Sequence, residues 1–194
     1  LGLLPKQSGK IIWNGLEIAE PATFLVPPRA AYTPQIPQLF STSLRENLLL
    51  GLADDVSPEQ LNQAITTAVF EQDLALMPKG LDTQVGTRGV RLSGGQKQRV
   101  AAARMLVRQP ELLVFDDLSS ALDLETEQKL WQRLFNTGNQ RHSTVYTPTC
   151  LVVSHRPSVI ERADTIILLE AGRIIFSGIP AQFNREMMRK NIVF

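Results

Sequence analysis

The run Leu112-Leu113-Val114-Phe115, closed by Asp116-Asp117, constrains the fold more than any other stretch. Four successive apolar residues leave no wet face, so a strand made from them is buried on both sides. That pattern belongs to a parallel sheet covered by helices. The flanking sequence agrees. Ser93-Gly94-Gly95-Gln96 spaces a serine and a glutamine as in a capping box, and the helix it starts runs through Arg108, where Pro110 prevents extension. Asp123 can cap a further helix carrying Leu130, Trp131, Leu134 and Phe135, and Leu151–Val153 reads as a second buried strand. Helix, strand, helix, strand is the order of an α/β fold with a largely parallel sheet.

The earlier part of the chain is punctuated by turns. Leu1–Leu4 reads as the end of a helix stopped by Pro5. With no initiator methionine and no capping residue, an N-terminal part is expected before it. Gly9–Trp13 reads as a short strand turning at Asn14-Gly15, and Pro21–Arg29 as loop. Ala30–Thr33 reads as a strand limited by Pro34. Ser57-Pro58-Glu59-Gln60 pairs a capping box with proline at the first helical position, and Leu61, Ala64, Ile65, Ala68 and Val69 follow at helical spacing. A second short helix ends near Pro78 and Gly80, so residues 57–80 read as a small helical lobe. Residues 136–149 are polar and unpatterned and read as a flexible connection. Asp164–Leu169 and Arg173–Phe176 read as a strand pair joined at Ala171-Gly172.

A length of 194 residues suits one domain or two small lobes. Twenty Lys and Arg stand against 19 Asp and Glu, a net charge of +1. That balance argues against a basic nucleic-acid surface and an acidic tail, so no nucleic-acid partner is expected. The one cysteine, Cys150, reads as a small buried core residue; it offers no disulfide framework and fits a reducing compartment. No apolar run approaches the roughly 20 residues that cross a bilayer, and no signal peptide is visible.

The sequence gathers chemistry at three places. At Ser93-Gly94-Gly95-Gln96 a helix start offers unpaired N–H groups, two glycines that let an anion approach, and a hydroxyl. This fits a phosphate-binding terminus and also an ordinary capped helix. Asp116 and Asp117 stand at a strand's carboxyl end, where ligands of open α/β sheets bind. One could hold Mg²⁺ while the other polarises a water, or both could be a solvated turn. His155 follows Leu151–Val153 and would face the same edge, either donating to a developing phosphate charge or serving a structural role.

Together these places resemble the nucleotide-binding domain of ATP-binding cassette (ABC) transporters. "LSGGQKQR", Leu92–Arg99, resembles the signature motif; "LLVFDD", Leu112–Asp117, the Walker B strand; and "SALD", Ser120–Asp123, the D-loop. His155 matches the switch histidine, and Gln35 in "YTPQ" the Q-loop glutamine. The order and spacing fit from about residue 1 to residue 180. The resemblance implies a P-loop NTPase-like, RecA-type α/β core with a mostly parallel sheet, plus a helical lobe from Leu44 to about Gln109. It implies ATP and Mg²⁺ as cofactors. Asp116 would hold Mg²⁺ through water, Asp117 would occupy the base position, and Gln35 would touch Mg²⁺ and the attacking water. His155 would contact the γ-phosphate. Ser93, Gly94, Gly95 and Gln96 would contact the γ-phosphate held by an opposite subunit in a head-to-tail dimer, and Ser120–Asp123 would cross that interface. A transmembrane domain, fused upstream or separate, would be the other partner, at the cytoplasmic face of the membrane.

Two departures accompany the resemblance. No G-x-x-x-x-G-K-[ST] run, the Walker A loop, occurs in residues 1–194; Gln7-Ser8-Gly9-Lys10 lacks the first glycine and the following hydroxyl. The chain therefore reads as a partial nucleotide-binding domain without the N-terminal Walker A part, expected to bind ATP poorly by itself. Asp117 stands where the family usually has glutamate, and a side chain one methylene shorter predicts slow hydrolysis unless the backbone has moved. "PQLFSTSLRENLLLG", Pro37–Gly51, and "DTQVGTRG", Asp82–Gly89, resemble exporter-type cassettes, although many exporters have glutamate where this chain has Thr87. An exporter is the leading reading. An importer-type subunit, a soluble ABC ATPase and a degenerate cassette that only completes a partner's site are the alternatives.

Overall fold

A computed structural model describes residues 1–52, 56–136 and 147–189. The chain forms two compact units, Leu1–Val152 and Val153–Phe194.

In the first unit β1 (Ile12–Trp13) and β2 (Leu16–Glu17) pair antiparallel, with Trp13 opposite Leu16. Asn14 and Gly15 between them both have positive φ, as a two-residue hairpin of the strands' own twist requires. A one-turn helix α1 (Pro21–Phe24) interrupts the expected loop before β3 (Ala30–Thr33). Helices α2 (Leu44–Leu48), α3 (Pro58–Thr67) and α4 (Glu71–Ala75) follow, then the long helix α5 (Gly94–Leu106). Strand β4 (Leu112–Asp116), helix α6 (Leu124–Asn136) and strand β5 (Thr149–Val153) complete the order. The three core strands form one parallel sheet in the order β3-β4-β5, with Ala30 opposite Leu112 and Thr33 opposite Phe115. Leu113 and Phe115 are completely buried, as an all-apolar central strand demands.

Helix α5 forms the centre of this unit. Val100, Ala102 and Ala103 are buried completely, and the alanines let neighbouring elements approach closely. A buried polar side chain and a half-buried one are joined beside them. Asn47, on α2, is fully enclosed; its Oδ1 accepts from the Phe40 N–H at 2.8 Å and from Arg104 at 2.9 Å. Its Nδ2 donates to Phe40 O, Thr42 Oγ1 and Ser43 O at 3.0–3.1 Å. Arg104 also donates to Asn47 O at 2.7 Å and to Gln38 O at 3.1 Å. Burial, and then the charge of Arg108, lower the Arg104 guanidinium to about 10, so it stays cationic at neutral pH.

Several expectations change. Leu1–Leu4 is not helical: Gly2 sits at φ 74°, outside the right-handed helical region. Helix α3 ends at Thr67, before Val69. Val69 takes φ 58° and the chain closes with Phe70 N–H on Ile65 O and Val69 N–H on Thr66 O. This is a Schellman closure with valine where glycine is usual; the strain is compensated by Phe70, which is wholly buried. Ser57 caps α3 through the Gln60 N–H, but the Gln60 side chain does not return the bond; it donates to Val107 O at 2.7 Å. Helix α5 stops at Leu106, two residues before Arg108. Strand β5 is not buried on both faces: Thr149, Leu151 and Val153, which share one face, are exposed. Cys150 is half-buried, and desolvation pushes its thiol up to about 12. Most of the expected flexible connection, residues 137–146, lies outside the described residues.

The second unit holds an antiparallel pair, β6 (Ile166–Glu170) and β7 (Arg173–Gly178), followed by α8 (Pro180–Arg189), after a one-turn helix α7 (Pro157–Ile160). Its turn is Ala171-Gly172, both at positive φ. No helix among the described residues is long and apolar enough to cross a membrane.

Asn47→Ala should cost about 2–4 kcal/mol, because it takes the side-chain partner from Phe40 N–H and Phe40 O and one of three hydrogen bonds from Arg104. Denaturant unfolding of the protein that carries this chain measures it.

Candidate functional site

Parallel pairing of β3 with β4 decides which residues share the sheet's carboxyl edge. Thr33 lies opposite Phe115, so the chain leaves both strands at the same level. Gln35 follows β3 by two residues, and Asp116-Asp117 closes β4. The two carboxylates are not equivalent. Asp116 still belongs to the strand, and its Oδ2 accepts from the Tyr32 hydroxyl at 3.0 Å. Desolvation, then that hydrogen bond and the carboxylate charge, raise the Tyr32 phenol above its usual range. Asp117 has left the strand, with φ 47°. Its Oδ2 accepts from Gln35 Nε2 at 3.2 Å, while its Oδ1 is buried and has no partner. A buried acceptor left unpaired costs stability, and here it belongs to the carboxylate at the sheet's carboxyl edge.

The donors here, two carboxylates and an amide, are all oxygen. Among the described residues no group of three or more His, Cys, Asp and Glu could hold a metal. A pair of carboxylates suits Mg²⁺, which keeps much of its shell on water and phosphate oxygens. Asp116 and Gln35 are the residues that could hold it through water, with Asp117 beside them.

Past Asp117 a tight turn, Leu118–Ala121, leads to α6. Asp123 caps that helix: its Oδ1 accepts from Thr126 N–H at 2.9 Å and its Oδ2 from the Thr126 hydroxyl at 2.7 Å. The N–H bond, then the hydroxyl, hold its carboxyl below the usual range. Ser120 lies in this turn; its side chain is outside the described residues.

The start of α5 sits against the same turn. Ser93 and Gln96 form a complete capping box: Ser93 N–H donates to Gln96 Oε1 at 2.9 Å, and Gln96 N–H to Ser93 Oγ at 3.2 Å. Gly94 and Gly95 occupy the first positions, whose N–H groups have no partner within a helix. The two glycines differ. A side chain on Gly95 would meet Ala121 O at 2.9 Å, whereas one on Gly94 would make an ordinary contact with Ala121 Cβ at 3.6 Å. Gly95 is therefore needed for packing within the chain as well as for any anion.

Three residues that the sequence patterns do not single out shape this region. Tyr32 holds Asp116. Gln98, buried on α5, donates to Gln35 O at 2.6 Å and ties α5 to the edge where Asp117 lies. Asp73, on α4, accepts from Gln96 Nε2 at 2.9 Å and from Arg99 at 2.7 Å. Helical spacing marks Gln98 only as a polar residue among apolar ones, and Asp73 as a surface acid. The structure brings Gln35, Asp116 and Asp117 together, and Ser93–Gln96 onto the turn after them. His155 belongs to the second unit and is exposed, two residues beyond β5. Thr87 is exposed in a one-turn helix, Thr87–Gly89, beside Arg88 at φ 52°.

Comparison with known proteins follows the same lines. Residues 1–120 match the family model described as ABC transporter. P-glycoprotein 14 of Caenorhabditis elegans is 38% identical over 181 residues, which are 93% of this chain and 13% of that protein. A probable multidrug resistance ABC transporter ATP-binding/permease protein of Bacillus subtilis is 37% identical over 174 residues, 90% of this chain and 28% of that protein. A bacterial Atm1-family ABC exporter, solved with ATP bound, superimposes with a TM-score of 0.82 at 32% identity, over 97% of this chain and 32% of that one. The chain thus spans about a third or less of the length of each.

Gly95→Ala should destabilise the protein by about 1–3 kcal/mol through the clash with Ala121 O, and Gly94→Ala by clearly less. Thermal unfolding of the two variants side by side checks the difference.

Proposed function

The chain belongs to the ABC transporter family, and from that premise we propose that it is part of an ATP-binding and ATP-hydrolysing domain that drives transmembrane export. The observation that carries the proposal is the asymmetric acid pair beside Gln35. Tyr32 occupies one oxygen of Asp116, which leaves the other to hold Mg²⁺ through water. Gln35 holds Oδ2 of Asp117, and this carboxylate, at the strand's end, is the group to accept a proton from an attacking water. Bound Mg²⁺ with ATP would supply charge neutralisation on the transferring phosphate. The departure of Asp117 from strand geometry supports a compensating backbone shift for its short side chain.

The remaining roles rest on the family. His155 contacts the γ-phosphate. Ser93, Gly94, Gly95 and Gln96 form the turn that faces the nucleotide of a second, head-to-tail copy or relative of this domain, with Ser120 and Asp123 at that interface. The helical lobe, residues 44–109, faces a transmembrane domain at the cytoplasmic side of the membrane. The names of the relatives support export: multidrug resistance proteins, and an ATP-dependent lipid A-core flippase of Shewanella oneidensis that is 36% identical over 172 residues, 89% of this chain and 28% of that protein. As a separate piece, residues 1–194 should bind ATP weakly, since no Walker A run lies within them.

Turnover of the protein that carries this chain, measured in lipid, tests the assignment. Asp116→Asn and Asp117→Asn should each lower ATP hydrolysis by about 10²–10⁴-fold, and Asp117→Glu should match or exceed the parent. Equal rates for parent, Asp117→Asn and Asp117→Glu would remove Asp117 from the base position.

A further inference from the structure

Two of the four residues Ser93–Gln96 are glycines, and Ser93 and Gly94 are exposed. Such a turn loses much backbone freedom when it is ordered. A site that meets phosphate gains from being held in place beforehand. The structure supplies a restraint from a different element. Asp73 stands on α4, and its carboxylate bridges two residues of α5: Oδ1 accepts from Gln96 Nε2 at 2.9 Å and Oδ2 from Arg99 at 2.7 Å. The Arg99 and Asp73 side chains are only 12% and 21% exposed, so this ion pair is shielded from salt and solvent. Gln96 passes the restraint on. Its Oε1 accepts from Ser93 N–H at 2.9 Å, and its own N–H donates to Ser93 Oγ at 3.2 Å. Both ends of the Gln96 amide are therefore engaged inside this chain. The Ser93 hydroxyl, as an acceptor in that bond, keeps its hydrogen for another partner.

Resting on the ATPase reading above, we propose that Asp73 is a positioning residue that locks the first turn of α5 through Gln96 and Arg99. Gln96 belongs to this lock, and the phosphate across the interface is met by the Ser93 hydroxyl and the N–H groups of Gly94 and Gly95. Asp73 never touches the nucleotide. It sets the orientation of groups that do.

A reversal of hydrogen-bond polarity tests the lock. Asp73→Asn exchanges one acceptor for a donor, which then faces either the Gln96 amide or the Arg99 guanidinium. Gln96→Glu sets a second carboxylate against Asp73. Made together, the introduced asparagine donates to the introduced glutamate, the glutamate still accepts from Ser93 N–H, and the total charge is unchanged. Two readouts are taken on the protein that carries this chain: amide hydrogen exchange across residues 93–99, and ATP turnover. Each single substitution should speed exchange and lower kcat by about tenfold, and the pair should restore both to within about threefold of the parent. Unchanged exchange in the single variants overturns the lock, as does a pair that exchanges no more slowly than the worse single. Restored exchange with turnover still lost overturns the Gln96 assignment in favour of a direct phosphate contact by Gln96. Absence of ATP turnover in the parent overturns the ATPase reading alone, because exchange still decides the lock.

Discussion

The candidate site depends on α5 and on the polar groups that tie this helix to its neighbours. An alanine-rich face lets this helix lie close to β3, α2 and the turn after β4. Apolar contact alone would permit it to slide. Gln98 and Arg104 remove that freedom, because each donates to a specific carbonyl on a separate segment: Gln98 to Gln35 O, Arg104 to Asn47 O and Gln38 O. Buried groups of this kind have few alternative partners, so a displaced helix would leave several unpaired at once. The segment from Gln35 to Gln38 is thereby held at both ends.

This arrangement gives one helix two contacts with the chemistry. Its first turn presents Ser93, Gly94 and Gly95 beside Ala121. One turn along, Gln98 holds the backbone of the residue whose side chain binds Asp117. A shift of α5 would therefore move the signature turn and Gln35 together. Such a mechanical link suits a domain in which nucleotide binding on one surface is to be felt on another.

Much of the fold was legible because its signals are local. The all-apolar Leu112–Phe115 run, the Asn14-Gly15 and Ala171-Gly172 turns, the Ser93–Gln96 capping box and the Asp123 cap each depend on residues a few positions apart. The Ser43–Glu46 capping box is a local signal of the same kind. The failures arise where distant burial overrides a local rule. Valine at φ 58° after α3 makes sense only once Phe70 is seen inside the core. Gln60 deserts its own capping box for a carbonyl 47 residues away. Leu151–Val153 has the composition of a central strand, but Leu151 and Val153 are exposed, and which face of a strand is covered depends on segments far away in sequence.

The candidate site divides in the same way. By itself the sequence determined which residues could carry chemistry, because motif spacing places Asp116 and Asp117 at a strand end and Ser93–Gln96 at a helix start. Only the tertiary structure decided what each one is engaged in. Asp116 and Asp117 are adjacent and chemically identical in sequence. The difference between them comes from Tyr32 and Gln35, 84 and 82 residues away, and from a backbone that turns left-handed at Asp117. Asp73 joins Gln96 and Arg99 across 23 and 26 residues for the same reason. A side chain's hydrogen-bond partners are set by where the packed core places other segments, and that information is spread over the whole chain.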